Sequence, residues 1–268
     1  MDARKLLVRM EIMKHTGNCL TTEECVILEN SLVILQNENH FHNVYFWGKI
    51  YGTERNYYIS FGYQKDALAD ITFYYSTDCV NWSILPLSTE IDSFSLNFCA
   101  NPFTGDPAVL TDTQNILSSK ETVGTMKEED RLAATVSLIT EETMIVPRGA
   151  LFKNIKGVVI ENENFRGLNK EQSKHLESYA HYRVPQNKWN TNLLKRADYS
   201  YEMDFLDTID MDIPKDCWSL QFENRGKVIV IRNMFWMGMS FTHVIGTPEF
   251  YYNYSGNGKK NVDVPFML

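Results

Sequence analysis

The chain has 268 residues, 44% hydrophobic and 13% aromatic, enough to build a substantial core and too apolar for a disordered chain. Its formal charge is −8 and its sequence pI about 5.3, a balance that disfavours nucleic acid and anionic membrane surfaces as partners. No stretch approaches the ~18 apolar residues of a membrane span, and five cysteines (Cys19, Cys25, Cys79, Cys99, Cys217) without a CxxC pair read as reduced thiols of a cytosolic protein.

The N-terminal part, residues 1–38, reads as helical. Leu6, Met10 and Met13 form one stripe over residues 2–15. Thr21 and Glu24 make a capping box, opening a helix over about Thr22–Gln36. That helix carries Val26, Leu28, Leu32, Val33 and Leu35, apolar around much of its girth. The two helices form a hairpin that covers one face of the sheet to come. Val44–Gly62 then reads as two strands joined by Gly52–Asn56. Strict alternation puts Val44, Phe46 and Ile50 on one face and Tyr45, Trp47, Lys49 and Tyr51 on the other. Both faces are aromatic, so both need cover, from the chain's own helices or from another protein.

Ile71–Ser76 and Trp82–Leu85 read as two more strands, stopped by Pro86. Residues 100–127 read as a long loop, apolar density falling from Pro102 onward. Residues 128–140 regain a helical stripe in Leu132, Val136 and Ile139. Thr143–Val146 is a short strand, which Ala150–Phe152 resumes after Pro147-Arg148-Gly149. Asn169 and Gln172 make a second capping box, predicting a helix to about Tyr182. Asn190–Ala197 and Glu202–Ile209 read as short helices. A second aromatic hairpin comes next, Trp218–Glu223 and Lys227–Arg232 around Asn224-Arg225-Gly226, then a strand at Ser240–Val244. The chain closes with Tyr251, Tyr252 and Tyr254, a Gly256-Asn257-Gly258 turn and the apolar tail Val264–Leu268. The fold class is α+β: an antiparallel sheet with aromatic-rich hairpins, packed with helices, in one domain over 1–268.

Motifs for chemistry are absent. His40 and His42 share a strand face as a metal pair would, but no further ligand occurs at a usable spacing. His175 and His181 are six apart and diverge on a helix. The carboxylates Glu202, Asp204, Asp207, Asp210, Asp212 and Asp216 fail the calcium-loop pattern, with Pro214 and Lys215 at its fifth and sixth places, and read as solvated helix faces. Gly256-Asn257-Gly258-Lys259-Lys260 lacks the spacing of a phosphate loop. No GxSxG elbow or cysteine-protease signature occurs. These readings assign no catalytic, cofactor-binding or metal-binding residue.

One set of stretches occurs in a specific order: FWGKIYG with YYISFG, NWSILP, VPRGALFK at Val146–Lys153, FRGL at Phe165–Leu168, DMDIPKDCWS at Asp210–Ser219, VIVIRNMFWMG and the terminal NVDVPFML. The chain resembles the radial spoke head subunit family of motile cilia and flagella from about Val44 to Leu268. Residues 1–38 and 100–127 match least. The family's larger members carry Trp-Pro-Gly where this chain has Trp236-Met237-Gly238. The resemblance implies a non-enzymatic structural subunit of the axoneme, without cofactors, needed for spoke head assembly and motility control. Its implied partners are the larger spoke head subunits, further head components and, transiently, central pair projections. Candidate partner contacts are Tyr45, Trp47, Tyr51, Trp236, Phe266 and Leu268. If Trp47 and Trp236 were both buried in the isolated chain, the interface would lie elsewhere. The alternatives are a cytosolic adaptor outside the axoneme and a small-ligand binder using the aromatic sheet as a pocket wall.

Overall fold

A computed structural model describes residues 2, 4, 6–13, 17, 20–96, 99, 101–113, 124–186 and 197–267. The chain opens with α1 (Leu6–Met13) and α2 (Thr22–Glu38), followed by β1 (Asn43–Ile50), β2 (Tyr57–Tyr63), β3 (Thr72–Ser76) and β4 (Ser83–Ile84). Next come α3 (Glu90–Ser95), β5 (Leu110–Thr113), β6 (Gly124–Lys127), α4 (Glu128–Thr143), β7 (Ile145–Pro147), β8 (Leu151–Lys153), β9 (Val159–Glu161) and β10 (Tyr179–His181). The C-terminal part holds β11 (Trp218–Glu223), β12 (Val228–Asn233), β13 (Met239–Val244), β14 (Phe250–Gly256) and the single turn α5 (Val264–Met267).

Eight strands form one sheet in the order β11-β12-β13-β14-β1-β2-β3-β4. Its neighbours run antiparallel except β1 and β14, which run parallel and join the N-terminal strands to the C-terminal ones. Both aromatic hairpins are therefore halves of one sheet. The capping box of α2 forms as its sequence predicts, with Thr21 Oγ1 accepting from Glu24 N–H and Glu24 accepting from Thr21 N–H. The buried stripe of α1 is Leu6, Met10 and Met13. Together α1 and α2 pack Leu28, Leu32 and Leu35 against Val44, Phe46, Tyr58 and Tyr74 on one sheet face. The opposite face packs Trp47, Tyr57, Ile59, Phe61, Phe241, Tyr252 and Tyr254 against α4 and the 145–209 region.

The faces of β1 differ from strict alternation. Phe46 pairs with Ser60 and Gly48 with Ile59, so Trp47 is an extra residue in a β-bulge. A bulge reverses the parity of the residues beyond it. Ile50 accordingly joins Trp47 in the α4-side core, while Lys49 turns to the α2 side and meets Glu24 at 2.7 Å. Gly48 permits the bulge, since a Cβ there would lie 2.2 Å from Tyr254 O on the adjacent strand.

Elsewhere the chain departs from its local signals. The stretch 100–127 is not all loop: β5 and β6 pair antiparallel from Leu110–Lys127 to Thr113–Gly124, while 114–123 lie outside the described residues. The sequence also concealed α3, capped by Thr89 with Asp92. Asn169 and Gln172 do exchange their box hydrogen bonds, yet only 3-10 turns form after them, at Gln172–Lys174 and Leu176–Ser178, before β10 begins. Strand pairing of β10 with β7 takes the residues a helix needed. β7 and β8 belong to separate two-stranded sheets, so the second does not resume the first. Glu202–Ile209 is turns and irregular chain, with one 3-10 turn at Ile209–Met211; 190–196 of the other predicted short helix lie outside the described residues.

Candidate interaction surfaces

The aromatic face of the sheet is occupied from within. α4 lies over it and supplies partners for three of its aromatic side chains. Trp47 Nε1–H donates to Thr140 Oγ1 at 2.9 Å, Trp236 Nε1–H to Glu142 Oε2 at 2.7 Å, and Tyr252 Oη pairs with Thr143 Oγ1 at 2.8 Å. Trp47 is 0% exposed and Trp236 2%. Neither indole has surface left for a partner. Tyr45 is partly buried, stacks on Phe61 and donates its hydroxyl to Glu161.

Two other sequence candidates face solvent. Tyr51 is 44% exposed, tethered by its hydroxyl to Ser255 Oγ at 2.8 Å. Phe266 is 89% exposed on α5, whose preceding Val264 is buried. Leu268 lies outside the described residues. Phe266 has apolar company. Asn261 N–H donates to Phe235 O at 2.7 Å, tying the chain before α5 to the β12–β13 corner. That corner and the terminal segment expose Met237 and Val262. A second apolar surface runs along the outside of the helical hairpin, where Val8, Val26 and Ile34 are exposed beside Glu29, Asn30 and Asn37. The sequence signal for it was the girth of α2, apolar on more sides than one sheet face can cover, together with the absence of any Lys or Arg in the helix.

The polar clusters are structural ties. Of the carboxylates read from sequence as solvated helix faces, Asp204 and Asp207 are buried, Asp210 and Asp212 half-buried, and Glu202 and Asp216 exposed. Asp204 takes a two-pronged hydrogen bond from Arg148, Nε to Oδ1 at 2.5 Å and Nη2 to Oδ2 at 2.7 Å. Asp207 accepts from Gln186 N–H at 2.8 Å. Asp212 meets His181 Nε2 at 3.0 Å and accepts Trp218 Nε1–H at 2.8 Å. Cys217 lies beside that cluster, but burial and the Asp212 charge push its thiol up to about 11, the reverse of what a nucleophile needs. Glu128, at the start of α4, is buried and accepts from Tyr57 Oη, Thr104 N–H and Oγ1 and Gly105 N–H at 2.8–2.9 Å. Arg131, one turn on, lays its guanidinium over Phe103 at 4.2 Å. His40 and His42 are exposed before β1. Among the described residues no three His, Cys, Asp or Glu side chains gather as metal ligands, and no helix is long and apolar enough to cross a membrane.

Comparison with known proteins agrees with the ordered stretches. The family model of radial spokehead-like proteins matches residues 1–67, including the helical part where the sequence resemblance was weakest. Radial spoke head protein 9 homologs from Bos taurus and Homo sapiens are 36% and 37% identical over 276 residues, covering 100% of both chains. The Danio rerio homolog is 37% identical over 278 residues with the same coverage. The chain therefore belongs to the radial spoke head protein 9 family.

Proposed function

We propose that this chain is a non-enzymatic structural subunit of the radial spoke head in the ciliary or flagellar axoneme. The observation that carries the reading is similarity to radial spoke head protein 9 homologs along the entire chain. Its partners are other radial spoke components, and through the assembled head it takes part in contact with the central pair and in control of motility. The site chemistry is in keeping with this role: the buried polar groups tie segments together, and the Cys217 thiol, in the same wall as His181 and Asp212, is pushed up to about 11. Docking falls to the surfaces the fold leaves apolar and open, the Met237–Val262–Phe266 corner with Tyr51, and the outer side of α1 and α2. Central apolar anchors carry most of the energy of such interfaces.

The test is a tagged pull-down from detergent-extracted axonemes, read by mass spectrometry. Recovery of other spoke head proteins in fixed ratio is the expected result. Absence of the protein from axonemes, or its recovery alone, overturns the reading. Because Val264 is buried, the docking role of the tail is better probed with Phe266→Ala than by deleting Val264–Leu268. That substitution removes an exposed ring, leaves the melting temperature within a degree or so, and lowers capture of spoke components; undiminished capture removes Phe266 from the interface.

A further inference from the structure

A cavity of about 280 Å³ lies between the β1–β2–β14 part of the sheet and the β7–β9 region. Tyr45, Phe61, Tyr182, Phe250 and Tyr252 line it, and Glu161 stands in the same wall. The exposed Pro248 is part of the lining, so the cavity reaches the surface. Glu161 accepts from the hydroxyls of Tyr45 and Tyr63, the latter at 2.7 Å, and from Asn43 Nδ2 at 3.1 Å. All three donors are neutral. Burial and the Glu161 charge push the Tyr45 hydroxyl well above its ordinary value, so it stays a donor.

Several partly buried carboxylates of this chain have a cation at hand: Glu24 has Lys49, Glu142 has Lys260, and Asp204 has Arg148. Glu128, which has neutral donors only, is fully buried at a helix N-terminus, whereas Glu161 stands in the wall of an open cavity. No Lys or Arg stands among the hydrogen-bond or ion-pair partners of Glu161 among the described residues. The guanidinium in the cavity wall, Arg9, is already engaged by Asp2 at 3.1 Å and lies over the Tyr251 ring. Among the described residues, Asp2, Glu161 and Glu249 against Arg9 leave the lining two charges negative. Ring faces carry negative potential, and a carboxylate among them adds to it. An anion is repelled there, and a neutral apolar guest leaves the Glu161 charge without a counter-ion.

We propose that this cavity binds a small organic cation, an ammonium group on a short apolar stem, with Glu161 as its counter-charge and the aromatic rings as its walls. The ammonium belongs either to a free molecule or to a lysine side chain. The proposal does not depend on the spoke-head reading.

The experiment is calorimetric titration of the full chain with choline and with 3,3-dimethylbutan-1-ol, its neutral isostere. Choline is expected to bind roughly tenfold more tightly than the alcohol. Glu161→Gln, shown to be folded by its melting curve, abolishes that preference and leaves the alcohol unchanged. Phe250→Leu keeps the carboxylate, and weakens choline more than the alcohol; it decides the matter if Glu161→Gln does not fold. Equal affinity of the two probes, no choline binding, or undiminished preference in the folded variants overturns the proposal. A peptide bearing trimethyl-lysine distinguishes the source. Competition with choline assigns the ammonium to a protein side chain, and choline binding without peptide binding assigns it to a free molecule; both sustain a cation site.

Discussion

Glu128 shows how much a single buried side chain organises here. Its two oxygens hold Tyr57 of β2 and the backbone at Thr104 and Gly105. That loop in turn accepts from Thr53, Glu54 and Arg55 N–H groups through Phe103 O and Thr104 O. One carboxylate thus ties the β1–β2 turn and the 101–105 segment to the first turn of α4, where the helix dipole also favours negative charge. Glu128→Ala leaves two N–H groups, the Thr104 hydroxyl and a phenol without their acceptor, an expected loss of about 3–5 kcal/mol. Chemical denaturation checks it: the midpoint should fall well below that of wild type, and a change under about 1 kcal/mol would show that the loop finds other acceptors. Gly48 is the second such position. An alanine Cβ would press on the Tyr254 backbone at 2.2 Å, so Gly48→Ala must part β1 from β14 at their parallel seam, costing roughly 2 kcal/mol or more.

At the scale of elements, the relation of α4 to the sheet separates core from interface. Trp47→Phe keeps most of the apolar packing but abandons the donor that satisfies Thr140 Oγ1. The expected cost is about 1–2 kcal/mol of stability, with capture of spoke components by the folded protein unchanged. Reduced capture at full folding would return Trp47 to the interface. The sequence made α1, α2, α4 and both hairpins legible because each carries its own periodicity, and α2 its capping box as well. It did not make their covers legible. The aromatic faces of β1 and β2 implied a lid without naming it, since whether Trp47 meets Thr140 or a partner is a matter of assembly in space. The bulge at Trp47 was hidden because it adds a residue without altering composition, and Ile50 and Lys49 exchanged faces in consequence. At Asn169–Tyr182 the local cap was real but tertiary pairing of β10 with β7 prevailed over helix propensity, as it does when strand residues are buried. Arg148–Asp204 and His181–Asp212 were out of reach for the same reason: partners 56 and 31 residues apart leave no spacing to read. The cavity beside Glu161 assembles from six separate strands and the chain next to them.

For the molecule as a whole, a buried histidine and a half-buried carboxylate contribute to its response to acid in different windows. His243 on β13 accepts the Leu168 N–H at Nε2 (3.2 Å), and its Nδ1–H donates to Glu249 O at 3.1 Å, so it is the neutral tautomer that joins the 165–168 segment to the sheet. Burial lowers its pKa from 6.5 to about 4, against a smaller upward pull from the Glu249 carbonyl. As pH falls through 6.5 the unfolded chain takes up a proton that the native chain refuses until about 4. Stability therefore falls across that window, by at most about 1.4 kcal/mol per pH unit, and this contribution is flat below it. Glu24 acts in the next window down. Burial raises its carboxyl, but hydrogen bonds from Lys49, Tyr58 and Thr21, with the Lys49 charge, outweigh that and leave it at about 2 against an ordinary 4.5. Its support for the α2 cap is complete above 4.5 and is lost as pH falls toward 2. Denaturation midpoints tracked from neutral pH downward should thus decline in two successive stages. His243→Gln, which keeps a donor and an acceptor but does not titrate, should flatten the first stage and leave the second. Glu24→Gln should leave the first stage and reduce the second, to which the hydrogen-bonded Asp78 carboxyl, also held well below its ordinary value, contributes as well. Its cost near neutrality is about 1 kcal/mol for the weakened cap and ion pair. A first stage that persists in His243→Gln would place the titrating group elsewhere in the fold.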